Sequence, residues 1–95
     1  MMEFSLSQSA KDVAIQNMID NLPVLRAMCH FSQYDLAELI GLSRQTIVMI
    51  ENRKRSMSWS VFLSLMFVFT QNEETERLLK PLNIYTDELM KIYKM

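Results

Sequence analysis

Ninety-five residues with a net charge of −1, almost half of them apolar and only one of them cysteine, leave room for one core and few staples. A chain of this size buries enough surface to fold without metal or disulfide. The single cysteine excludes an internal disulfide and a cysteine-based zinc cage, and it suits a reducing cytoplasm. The longest apolar run, 61–69 with Ser64 inside it, is far below the ~20 residues that span a bilayer. The first residues carry Glu3 and no basic stretch, unlike a signal peptide. A soluble cytoplasmic protein is expected.

One glycine and two prolines allow few turns, and no Asn-Gly or Asp-Gly pair marks a hairpin. The expected fold is therefore all-α, a single compact domain of five to seven helices over 1–95. Its parts would be an N-terminal helical extension (1–21), a helix-turn-helix domain (22–80, motif at 33–52) and a C-terminal helix (81–95). Ser9 begins the first helical pattern, with Val13, Ile15, Met18 and Ile19 on its apolar side. Asp20 and Asn21 can end it, and Pro23 suits the first turn of a second helix, Leu22 to Cys29. A break near Asn21 is expected. The stripe Ile15, Met18, Ile19, Leu22, Leu25, Cys29 nevertheless runs through Pro23 in register, so one kinked helix is the alternative.

After a turn at His30 and Phe31, Ser32 caps a helix in which Leu36, Ala37, Leu39 and Ile40 mark a buried face. The only glycine, Gly41, stands where a helix closes in a left-handed conformation, Leu42 plugs the corner and Ser43 can cap the next helix. That helix runs from Arg44 to Asn52 with Ile47 and Ile50 inward. Ser58 then caps a helix to Thr70 whose residues are apolar on nearly all sides, which predicts burial on more than one face. Asn72 caps Glu73 to Lys80, Pro81 stops it, and Thr86 caps a last short helix with Leu89, Met90, Ile92 and Tyr93. The nine methionines, Met1 and Met2 among them, read as core filler and chain ends.

Two short helices joined by a tight turn form a helix-turn-helix, whose second helix can enter the major groove of DNA. The net charge argues against nucleic acid, but its distribution does not. Residues 1–38 carry a balance of −3, residues 73–95 carry −1, and residues 39–72, with Arg44, Arg53, Lys54 and Arg55 against Glu51, carry +3. Phosphate binding depends on local charge.

With Gln33, Leu36-Ala37, Gly41, Leu42, Ile47 and Ile50-Glu51 in register, the stretch from Leu22 to about Leu79 resembles the Xre/Cro type of helix-turn-helix, the phage-repressor-like regulators. The resemblance implies that Arg44, Gln45 and Met49 face base edges. It implies backbone contacts for Gln33, Ser43, Thr46, Asn52 and the Arg53-Lys54-Arg55 loop, while Tyr34 can reach a phosphate as well. The side chains suit these roles, since Arg pairs with guanine, Gln with adenine, and Met lies against a thymine methyl. Ala37 would let the two helices cross closely, and Arg26 would form an ion pair with Glu51. His30 and Met57 depart from the family pattern, which often has glycine and proline there.

The functional expectation is sequence-specific double-stranded DNA binding by a homodimeric transcriptional regulator. A protein-interaction module on the same scaffold, such as an antitoxin, is the alternative. No metal, cofactor or small-molecule ligand is called for, and the lone His30 has no partner for proton transfer, so no enzyme is expected.

Overall fold

The computed structural model describes residues 7–89. Helices α1 (Gln8–Met28), α2 (Gln33–Ile40), α3 (Arg44–Glu51), α4 (Trp59–Thr70) and α5 (Glu73–Leu79) follow one another, and the backbone turns helical again at 87–89. No strand occurs among the described residues. The expected Met90, Ile92 and Tyr93 of the last helix lie outside the described residues, as do Met1 and Met2.

Hydroxyls and one amide start the helices. Ser7, Ser32, Ser43 and Ser58 each accept a hydrogen bond from a backbone N–H of the first turn, and Asn72 does the same for α5. At Ser32 the bond is reciprocal: Asp35 accepts from the Ser32 N–H at 2.9 Å while Ser32 Oγ accepts from the Asp35 N–H at 3.0 Å. Each such cap stabilises its helix by about 1 kcal/mol. The first helix thus begins at Gln8, under Ser7 rather than at Ser9.

The break expected near Asn21 does not occur, and α1 runs unbroken through Pro23. The apolar stripe explains why. Met18, Leu22 and Leu25 are fully buried, and ending the helix at Asn21 would turn the last two away from the core that holds the first. Pro23 itself is exposed, so its missing N–H weakens the ladder on the solvent side. Asn21 staples the helix instead of stopping it, donating from Nδ2 to the Asn17 carbonyl at 2.8 Å.

The core is continuous. Met18, Leu22 and Leu25 of α1 meet Leu36 and Ala37 of α2, Ile47 and Ile50 of α3, and Phe62, Leu65, Met66 and Phe69 of α4, with Leu79, Ile84 and Leu89 closing it. Its buried polar side chain, Thr75, is satisfied because its hydroxyl donates to the Phe69 carbonyl at 2.6 Å. Three residues expected inside lie outside: Val13, Leu39 and Phe67 are 53%, 57% and 68% exposed. A helix lying on one side of a core buries roughly a third of its circumference, and Ala14 takes the inward place beside Val13. Helix α4 packs against α1, α2 and α5, which leaves Phe67 on its outer side.

Left-handed residues close the helices. Gly41 (φ 77°) ends α2, and the Leu42 N–H reaches back to the Ala37 carbonyl at 2.9 Å. His30 (φ 61°), Arg53 (φ 62°) and Asn83 (φ 59°) adopt the same conformation without being glycine. At His30 the Phe31 N–H bonds to the Arg26 carbonyl at 3.1 Å and the His30 N–H to that of Ala27 at 2.9 Å, a Schellman closure. The Lys54 and Arg53 N–H groups bond to the Met49 and Ile50 carbonyls in the same way, at 2.8 and 3.0 Å.

Two stability predictions follow from the backbone. Pro23→Ala restores an N–H for the Ile19 carbonyl and removes a ring clash, and it should raise unfolding stability by about 1–3 kcal/mol in a urea titration. A fall in stability would mean that the packing depends on the proline's distortion. At Gly41 no atom beyond the residue itself and its two chain neighbours lies within 4 Å of where a Cβ would stand. Gly41→Ala should therefore lower stability by backbone strain alone, about 1–2 kcal/mol, and the β-branched Gly41→Val by more.

Candidate nucleic-acid interface

Helices α2 and α3 pack on each other across the Gly41 turn, and α3 also packs on α1. Ile47 and Ile50 are buried, which fixes how α3 is rotated about its axis. Arg44 and Gln45 then stand exposed at its first turn, and Met49 lies half-buried one turn further on. Among the described residues, the side chains of Arg44, Gln45, Lys54 and Arg55 have no hydrogen-bond or ion-pair partner, which leaves their donors free. Tyr34, at the start of α2, is 57% exposed.

The start and end of α3 are tied down by short polar contacts. Ser43 Oγ accepts from the Thr46 N–H at 3.1 Å, and the two hydroxyls share a further hydrogen bond at 2.9 Å. Asn52 caps the C-terminal end, its N–H bonded to the Val48 carbonyl at 3.0 Å, so α3 stops at Glu51 rather than Asn52. The basic loop departs from there through the left-handed Arg53.

Behind this surface, one carboxylate joins three helices. Arg26 of α1 donates from Nε to Glu51 Oε2 at 2.8 Å and from a second guanidinium nitrogen to Oε1 at 3.1 Å. A third guanidinium nitrogen donates to the Phe31 carbonyl at 3.0 Å. Gln33 of α2 donates from Nε2 to the same Glu51 Oε1 at 2.9 Å. The Arg26 and Glu51 side chains are only 19% and 6% exposed. The Gln33 amide nitrogen is therefore engaged inside the protein.

Arg53 is also engaged. Its guanidinium donates to Asp20 Oδ1 of α1 at 2.6 Å, and Gln16 Nε2 donates to the same oxygen at 2.9 Å. Arg53 beside it, and then Gln16, hold the Asp20 carboxyl below its ordinary pKa of 3.8. The contact is in place above that pH and is lost as the pH falls through the lower folded value. Sequence pattern shows the Gln16–Asp20 spacing of four but gives no sign of a partner 33 residues away. The Gln33–Glu51 bond left no sequence signal either.

The stretch from the last turn of α1 to the cap of α4 therefore holds two short helices, a left-handed glycine between them, and free cationic and amide side chains on the outer face of the second. Residues 25–58 match the Helix-turn-helix family model. They form the two short helices and the tight turn of a helix-turn-helix. The match stops at Ser58, short of the resemblance to Leu79 read from the sequence, and it covers the described interface entirely. No curated protein and no solved structure matches the chain. Among the described residues no helix is long and apolar enough to cross a membrane, and no cluster of His, Cys, Asp and Glu could hold a metal ion.

The hub at the buried Glu51 carboxylate carries a stability prediction. Arg26→Ala leaves a carboxylate nearly shielded from water with Gln33 as its remaining donor, and should cost about 2–4 kcal/mol. Replacing Arg26 and Glu51 together by methionine should cost less than Arg26→Ala alone. Equal, near-zero effects in denaturant titrations would show that the pair contributes nothing.

Proposed function

We propose that this protein binds double-stranded DNA sequence-specifically as a homodimeric transcriptional regulator, laying α3 in the major groove. The observation that supports this most directly is the exposed, unpartnered Arg44–Gln45 edge at the first turn of α3, within the matched helix-turn-helix. Base readout needs side chains that are rigidly based yet chemically unspent, and these two are both. Arg44 can donate a fork of hydrogen bonds to guanine O6 and N7, and Gln45 can pair with the N6/N7 edge of adenine. Met49, one turn along, offers an apolar contact for a thymine methyl.

Backbone contacts fall to the flanks. Lys54 and Arg55 stand free at the end of α3, Tyr34 and Asn52 offer hydroxyl and amide hydrogens, and the hydrogen-bonded Ser43–Thr46 pair offers the one hydroxyl hydrogen it does not spend internally. Gln33 would contribute by buttressing the start of α2 through Glu51. Arg53 joins the backbone set on exchanging Asp20 for a phosphate, so its net gain is smaller than that of Lys54. A dimer reads two half-sites about one helical turn apart, ~10 base pairs, or a multiple of that.

Arg44→Ala or Gln45→Ala should weaken binding to a selected site by about 1–3 kcal/mol and relax the preference at one base position per half-site. Lys54→Ala should instead weaken all duplexes alike and flatten the dependence of log K on log salt by about one unit. Salt titrations of selected and scrambled duplexes distinguish the two behaviours. Absence of wild-type affinity for any duplex at low salt would refute DNA binding.

A further inference from the structure

The outward side of α4 exposes Phe67 between two apolar grooves. One is lined by Leu39, Ile40, Leu63, Ser64 and Val68, the other by Leu63, Met66, Thr70 and Tyr85, each with a volume of about 440 Å³. Phe67 is 68% exposed and Leu39, at the end of α2, is 57% exposed. We infer that this α2/α4 face is where a second copy of the chain docks, each Phe67 entering the groove beside the other. The inference rests on the dimeric part of the proposed function and assigns it a surface.

Three observations favour a second copy over a different occupant. First, the face is self-complementary, because a projecting ring and a groove able to receive it lie side by side on one patch. A two-fold interface requires that the same patch serve both partners. Second, no charged side chain lines the groove beside Phe67 and Leu39, whereas Glu76 lines the other, so the Leu39 groove is the one that receives the partner's ring. A two-fold axis brings like charges together, so the uncharged Leu39 groove suits self-association, and it offers nothing to a charged peptide or nucleic acid. Third, the Ser64 and Thr70 hydroxyls on the face are already satisfied. Ser64 Oγ donates to the Ser60 carbonyl at 3.1 Å and Thr70 Oγ1 to the Phe67 carbonyl at 2.8 Å, so covering them strands no donor.

The size of the face sets the strength. Exposed aromatic and aliphatic side chains of this kind offer on the order of 400 Å² per copy, about half of the ~800 Å² that each partner contributes to a standard stable interface. The dimer is thus weak and concentration-dependent, formed in full only when two half-sites bring the copies together.

Sedimentation equilibrium of the full chain without DNA, from low micromolar to near-millimolar concentration, tests this directly. Wild type should show a reversible monomer–dimer equilibrium. Phe67→Glu and Leu39→Lys should each raise the dimer dissociation constant by about 30-fold or more, with helical circular dichroism unchanged. Val24→Lys alters another exposed apolar residue, 58% exposed on α1, and should leave the equilibrium as in wild type. A wild type that stays monomeric throughout overturns the proposal, whether or not it binds DNA. A wild-type dimer that persists in Phe67→Glu and Leu39→Lys, or that Val24→Lys dissociates, overturns the assignment of this face while leaving a dimer in place.

Discussion

Glu51 occupies the last position of α3, almost out of contact with water, and accepts hydrogen bonds from Arg26 of α1 and Gln33 of α2. A carboxylate so placed is tolerable only when its lone pairs are filled, and the two donors must therefore keep fixed positions around it. The turn at Gly41 fixes how α3 follows α2, and the buried Ile47 and Ile50 fix which side of α3 faces inward. The carboxylate fixes the remaining freedom, the swing of the far end of α3 against α1. Arg26 adds to this by holding the Phe31 carbonyl, so the left-handed turn at His30 and the position of α3 are clamped by one side chain.

The electrostatics of the surface are local and mixed. Gln16 and Asp20 of α1 sit against the basic loop, where one of the three consecutive cations, Arg53, is neutralised. Lys54, Arg55 and, at the other end of α3, Arg44 keep their charge open to solvent. The chain's overall balance of −1 is thus a sum over regions that do different work. A surface ion pair of this kind adds little to stability, and its main effect is on where Arg53 points.

Local chemistry made most of the fold legible. Hydroxyl caps at Ser32, Ser43 and Ser58, the turn at Gly41 and the inward pattern of α3 each arise within a few residues, and the sequence shows them directly. Pro23 misled because its penalty is local while the register of Leu22 and Leu25 with Met18 is a property of the whole core, and the core wins. Leu39 and Phe67 misled for the converse reason: an apolar side chain states a preference for burial but cannot state how much neighbouring surface exists to cover it. Contacts such as Gln33–Glu51 and Asp20–Arg53 join polar residues far apart in sequence, and nothing in a one-dimensional pattern selects the pairing.

The positive φ of Arg53 links two demands that are usually separate. A side chain at that position holds the backbone in a region that favours glycine by roughly 1–2 kcal/mol. Relaxing the strain with glycine would discard the guanidinium that meets Asp20 and stands beside the α3 surface. Position 53 is thus a point of trade-off, where substitutions that harden the fold dull the surface that the fold displays. Drift toward greater thermal robustness in this molecule would find its easier openings at His30 and Asn83, which share the conformation and lie outside the basic loop.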